Sequence, residues 1–169
     1  VAKLRKLRSK AERKGFRPQT VLTSCGTCRE SLDRWGVGTT FGRGVEHKDV
    51  AQYLLERLPA PLAGGAPMLY HAACHAEWTG QHPAKAGEVY RDALAEHLGT
   101  DIRLSPGCCG ESGLGAMTSP KIYNRLRSKK QDQLKLDLPK VPAESPLLVG
   151  CPSCKVGIKR CLLGMEETE

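Results

Sequence analysis

Leu147-Leu-Val-Gly-Cys-Pro-Ser-Cys154 decides the fold. Its apolar start reads as a short buried strand. It runs straight into a Cys-x-x-Cys pair at the head of a helix, with Pro152 in the first turn, where a missing N–H is tolerated. The same order recurs upstream. Met68-Leu-Tyr-His-Ala72 reads as a strand that delivers Cys74, and Asp101-Ile-Arg-Leu104 as a strand just before Cys108 and Cys109. Val21-Leu-Thr-Ser24 reads as a strand leading into Cys25-Gly-Thr-Cys28 and a helix through Trp35.

Helical patterns separate these strands. Residues 83–98 place Ala86, Val89, Tyr90, Ala93 and Leu94 inward, with Gly99 as the stop. Ser119-Pro120 opens a basic helix to about Gln133, with Ser119 as cap. Residues 1–14 read as a helix and Gly36 to Gly44 as a loop. Residues 48–58 read as a helix with Val50, Leu54, Leu55 and Leu58 on one stripe, ended by the linker-like Pro59-Ala-Pro-Leu-Ala-Gly-Gly65. Strands alternating with helices predict an α/β fold of small parallel sheets with flanking helices, because parallel neighbours need long crossovers. Ligands of such sheets sit beyond the carboxyl ends of the strands, so cysteines distant in sequence converge on one rim.

Composition narrows the class. The 169 residues are 40% hydrophobic, enough for a real core. No run of roughly 20 apolar residues and no signal peptide is present, so the chain reads as soluble and cytoplasmic. The net charge of +8 is concentrated at the start, where residues 1–17 hold eight Lys/Arg against the single acid Glu12. Aromatic residues make up only 5%, and no basic stripe with interleaved aromatics follows, which argues against nucleic acid and for a solvated or docking helix. The missing initiator Met and the ending at Glu169 suggest part of a longer polypeptide.

Eight cysteines without a secretion signal point to metal or redox chemistry rather than disulfides. Cys74, Cys108, Cys109, Cys151 and Cys154 fall at three strand ends, with 33 and 41 residues between the groups. Thiolates hold iron-sulfur clusters, and a Cys-x-x-Cys lets two neighbours grip one corner. Gly107 and Gly110 flank the adjacent pair and free the backbone to aim both sulfurs at one site. Zinc on four of the five thiols is the alternative chemistry. His71 and His75 bracket Cys74 as hydrogen-bonding neighbours of the sulfurs, and Gly110 offers a close backbone N–H. Cys161, two helical turns beyond Cys154, reads as packing, and His47 as a helix-start residue without chemistry. Gly110-Glu-Ser-Gly-Leu-Gly115 lacks the lysine of a phosphate-binding loop.

The runs Tyr70-His-Ala-Ala-Cys-His75, Gly107-Cys-Cys-Gly-Glu-Ser-Gly113 and Gly150-Cys-Pro-Ser-Cys154 resemble the CCG cysteine-rich domain. That family includes the cysteine-rich subunit of heterodisulfide reductase, the iron-sulfur subunit of glycolate oxidase and the C-terminal part of FAD-linked oxidoreductases. The resemblance implies Rossmann-like cysteine-rich repeats: the tail of a first repeat within residues 1–66, behind the basic helix, and a complete second repeat over 67–164. Cys25 and Cys28 are similar to the closing pair of that first repeat and stand as a second metal site whose other ligands lie upstream.

The resemblance also implies an iron-sulfur cluster, a [4Fe-4S] or non-cubane type, on all five cysteines of the second repeat. It implies an electron-transfer module of a larger oxidoreductase, working between a flavin dehydrogenase domain or subunit, which holds the FAD, and a quinone or another redox protein. Peripheral association with the inner face of the membrane is compatible with this role. Cluster-based disulfide reduction and a zinc-stabilised docking domain are the alternatives.

Overall fold

The computed structural model describes residues 2–59, 64–74, 83–111 and 114–166. Two parallel sheets organise them. The larger has three strands, β3 (Met68–His71), β4 (Ile102–Ser105) and β5 (Leu147–Val149), in the order β4-β3-β5. Its register pairs His71 with both Ser105 and Val149, so three strands end side by side. The smaller sheet pairs β1 (Thr20–Thr23) with β2 (Glu46–Asp49).

Side chains alternate across a strand, so Leu69 and His71 face one side of β3 and Tyr70 the other. Tyr70 packs with Ala86, Tyr90 and Ile102 under α5 (Pro83–Leu98), the crossover to β4. Leu69 packs with Leu134 of α7 (Pro120–Asp137), with Ile158 and Cys161 of α8 (Pro152–Glu166), and with Cys109, Cys151 and Cys154. This second face is the one that carries the thiols. Leu134 is fully buried there, and truncating such a leucine to alanine costs about 2–5 kcal/mol. The Tyr90 hydroxyl hydrogen-bonds Asp49 at the end of β2 and so ties the cover of the larger sheet to the smaller one.

Several sequence expectations need correction. The expected loop 36–44 contains a helix, α3 (Val37–Phe41), bounded by Gly36 at φ 74° and Gly42 at φ 122°. The expected helix over 48–58 begins only at α4 (Val50–Leu55), because Glu-His-Lys-Asp49 forms β2. No apolar alternation marks that strand; its polar side chains are satisfied by partners on neighbouring elements instead. His47 Nδ1 lies 2.5 Å from Asp33 and Nε2 3.1 Å from Thr23 Oγ1. Lys48 donates to Glu56 at 2.6 Å, and Asp49 accepts from the Ala51 N–H as the α4 cap. Leu54 and Leu58 are exposed rather than striped against a core, as is Val89 on α5. Ser119, between the short α6 (Leu114–Thr118) and Pro120, makes no side-chain capping hydrogen bond, and α7 continues to Asp137. Part of the linker 59–65 lies outside the described residues.

Candidate metal centre

Three strand ends build the site. β3 leads to Cys74, β4 to Cys108 and Cys109, and β5 to Cys151 at the mouth of α8, where Cys154 occupies the first turn. The Cys-Cys turn is shaped by glycine on both sides, Gly107 at φ 93° and Gly110 at φ 69°, a region that only glycine enters freely. Two helices close on this turn. A Cβ on Gly110 would stand 3.0 Å from the Arg127 backbone N of α7, and a Cβ on Gly157 would stand 2.8 Å from the Cys109 carbonyl oxygen. Glu111 and Arg160 add an ion pair at 2.5 Å between the turn and α8.

The five thiols form an unbroken run of hydrogen-bonding neighbours: Cys74 to Cys108, Cys108 to Cys109, Cys109 to Cys154, and Cys154 to Cys151. The run passes from exposed Cys74 to buried Cys109, Cys154 and Cys151. Within it, Cys108 and Cys151 are the net acceptors. Cys108 is held well below the ordinary thiol range by hydrogen bonds from Cys109 and Cys74 and by the Gly110 N–H, whose nitrogen is 3.4 Å from the Cys108 sulfur. Cys151 is brought down to about 5 by the Cys154 thiol and by the backbone N–H groups of Cys154, Ser153 and Gly26. Cys74, Cys109 and Cys154 are held up as the donors, with Cys108 the first cause for Cys74 and Cys109, and Cys109 the first for Cys154. At neutral pH two thiolates are therefore available, and thiolate is the form that binds metal.

His71 lies at the deep end. It is fully buried, and its Nδ1 is 3.3 Å from the Ser105 carbonyl oxygen. A carbonyl can only accept, so Nδ1 carries the proton and Nε2 keeps a free lone pair. Nε2 has no hydrogen-bond partner among the described residues. Burial, with Lys130 nearby, pushes the imidazole down to about 4, so it is neutral. Ligand atoms of His71, Cys109 and Cys154 all lie within 4.8 Å of one another.

His75 lies outside the described residues. Cys161 is fully buried, its sulfur 4.0 Å from the Cys109 carbonyl oxygen and 3.9 Å from that of Arg127, as packing requires. Cys25 and Cys28 lie beside the five-thiol site rather than apart from it. Cys25 packs against the core cluster that contains Cys109, Cys151 and Cys154, and α2 (Gly26–Trp35) turns its first N–H toward the Cys151 sulfur. Cys28 is exposed and raised by its hydrogen bond with Cys25.

Lys130 escaped the sequence reading. It is buried on α7, with Nζ donating to Ser105 Oγ at 2.8 Å, Ser105 O at 3.2 Å and Pro106 O at 2.8 Å. Ser105 also bonds the buried Asp137. The signal was available: Leu126, Lys130 and Leu134 follow one another at i+4 spacing, which puts a lysine inside an apolar stripe. Lys130 fixes the end of β4 and hence the approach to the Cys-Cys turn. A cavity of about 320 Å³, lined by Pro106, Gly107, Cys108, Leu126, Lys129 and Lys130 among others, borders Cys108.

Residues 68–159, more than half of the chain, match the family model of the cysteine-rich domain, CCG. The chain belongs to the CCG cysteine-rich domain family. No curated protein and no solved structure matches it. Clustered cysteines in such a domain suggest metal or cluster binding. Among the described residues no helix is long and apolar enough to cross a membrane.

Proposed function

From this family membership we propose that the chain is an iron-sulfur-binding electron-transfer module of a larger oxidoreductase. Cys74, Cys108, Cys109, Cys151 and Cys154 are its ligands. The observation that carries the reading is the run of five neighbouring thiols from the protein surface to its core, in which hydrogen bonds lower the pKa of Cys108 and Cys151.

The donor set fits the group. Soft thiolates select iron-sulfur clusters, zinc and copper(I) over hard cations, and five of them exceed what one tetrahedral ion takes. A cluster held here supplies one-electron exchange. The chain's own residues supply the rest. Cys74, Cys109 and Cys154 release their protons on ligation. The N–H groups of Gly110 and Gly26 offset thiolate charge at Cys108 and Cys151, which is how a protein raises the potential of such a centre. The packed core around Cys109 and Cys154 keeps water out, while exposed Cys74 marks the side from which electrons enter or leave.

The partners proposed are a flavin dehydrogenase domain or subunit, holding the FAD, and an electron acceptor, a quinone or another redox protein. The setting proposed is cytoplasmic, with room for attachment at the inner face of the membrane. The same proposal treats residues 67–164 as the complete repeat and 1–66 as the remnant of a preceding one, with Cys25 and Cys28 free to serve a second centre. Visible absorption of anaerobically purified chain tests the reading. Brown protein containing several irons agrees with it, whereas colourless protein with one zinc points to the docking-domain alternative.

A further inference from the structure

We propose that His71 is a direct ligand, through Nε2, of the deepest metal position in the thiol site, beside Cys109 and Cys154, so that the donor set there is nitrogen and sulfur rather than sulfur alone. The inference rests on the reading that the site holds a metal.

Its first support is placement. His71 ends the central strand, and the two-residue alternation that puts Leu69 into the thiol-bearing core puts His71 on the same face. The imidazole is fully buried, yet Nε2 has no partner among the described residues. Buried ring nitrogens are normally satisfied, and a ring nitrogen of His71 lies within 4.8 Å of the Cys109 and Cys154 sulfurs. A tetrahedral ion with metal–sulfur bonds of about 2.3 Å and metal–nitrogen bonds of about 2.0 Å holds its donors roughly 3.7 Å apart, a modest contraction of the observed group.

The second support is the other ring nitrogen. A metal-ligating histidine donates its remaining N–H to a carboxylate or a backbone carbonyl, which fixes the tautomer and the ring plane. Nδ1 of His71 makes that bond, to Ser105. Ser105 is itself held by Lys130 and Asp137, so the carbonyl that orients the ring is anchored on a buried polar network. The chain thus builds the supporting shell of a ligand around His71.

Metal-free chain of residues 1–169 is loaded anaerobically with one equivalent of cobalt(II) chloride, and X-ray absorption at the cobalt edge is recorded for wild type and for His71→Ala. The expected wild-type spectrum contains sulfur neighbours and the outer-shell scattering of one imidazole. In His71→Ala that scattering disappears, and cobalt affinity falls by about ten-fold or more. Wild-type cobalt surrounded by sulfur without imidazole overturns the inference and leaves the metal reading standing. Imidazole scattering that survives in His71→Ala also overturns it. A chain that takes up no cobalt removes both. The wild-type spectrum decides even if the variant fails to fold, which melting of both metal-free proteins reveals.

Discussion

The backbone N–H of Gly26, at the head of α2, donates to the sulfur of Cys151, at the head of α8. Two helices on different sheets therefore direct their positive ends at one thiolate, and their N–H groups add to the Cys154 thiol hydrogen bond that is the largest cause of its depressed pKa. The smaller sheet is thereby joined electrostatically to the site of the larger one. It also follows that changes around Cys25 will be felt at Cys151.

Cys109→Ser is expected to abolish or convert the metal centre, because serine oxygen is a harder and more basic donor than thiolate. Cys161→Ser should leave metal content intact, since its sulfur meets backbone carbonyls rather than the other thiols. Iron per chain in the two variants checks both expectations; equal losses would point to a different set of ligands.

Gly157→Val should lower stability by about 1–3 kcal/mol, the usual cost of overpacking, and reduce metal content. Its Cβ would sit 2.8 Å from the Cys109 carbonyl oxygen and 2.9 Å from the Glu111 Cβ, so α8 must move off the Cys-Cys turn. Denaturant melts of the metal-free proteins report the first effect. Unchanged melting would mean that the turn yields without cost.

Lys130 gives a pH signature. Burial lowers its ammonium to about 8 in the folded chain, below its unfolded value. Between those two values the unfolded state holds more protons, so the stability difference between wild type and Lys130→Met moves in favour of wild type as the pH rises from about 8 toward about 10.4. Below about 8 both states are protonated and the difference is flat. Paired melts across this range, with metal absent, measure the slope, and a difference independent of pH would contradict the burial argument.

Deleting residues 1–17 should not change metal content. α1 (Ala2–Glu12) contributes no buried residue and carries most of the positive charge of this segment. Iron or cobalt uptake by the truncated chain is the check; lost uptake would make the segment part of the core.

Much of this architecture was legible because burial wrote it into the sequence. Leu147-Leu-Val149, Met68-Leu-Tyr-His71 and Ile102-Arg-Leu104 carry the apolar character of buried parallel strands, and each precedes a cysteine. β2 was not legible, because Glu46, His47, Lys48 and Asp49 form a strand through pairing with β1 and through side-chain partners that lie well away in sequence, such as Asp33 for His47. Periodicity registers neither. The depth of His71 was hidden for a related reason: nothing local distinguishes a histidine aimed at solvent from one aimed at Cys109 and Cys154. Lys130 was visible as a misfit in the α7 stripe, but its role depended on Ser105 arriving from another strand.

The most direct test of the central claim is iron and acid-labile sulfide per chain in anaerobically purified protein, read together with the low-temperature EPR spectrum after reduction. The account predicts iron with inorganic sulfide in matching amounts and a reduced-cluster signal that disappears in Cys109→Ser. Protein that contains zinc and no labile sulfide, or no metal at all after anaerobic purification and reconstitution, would contradict it.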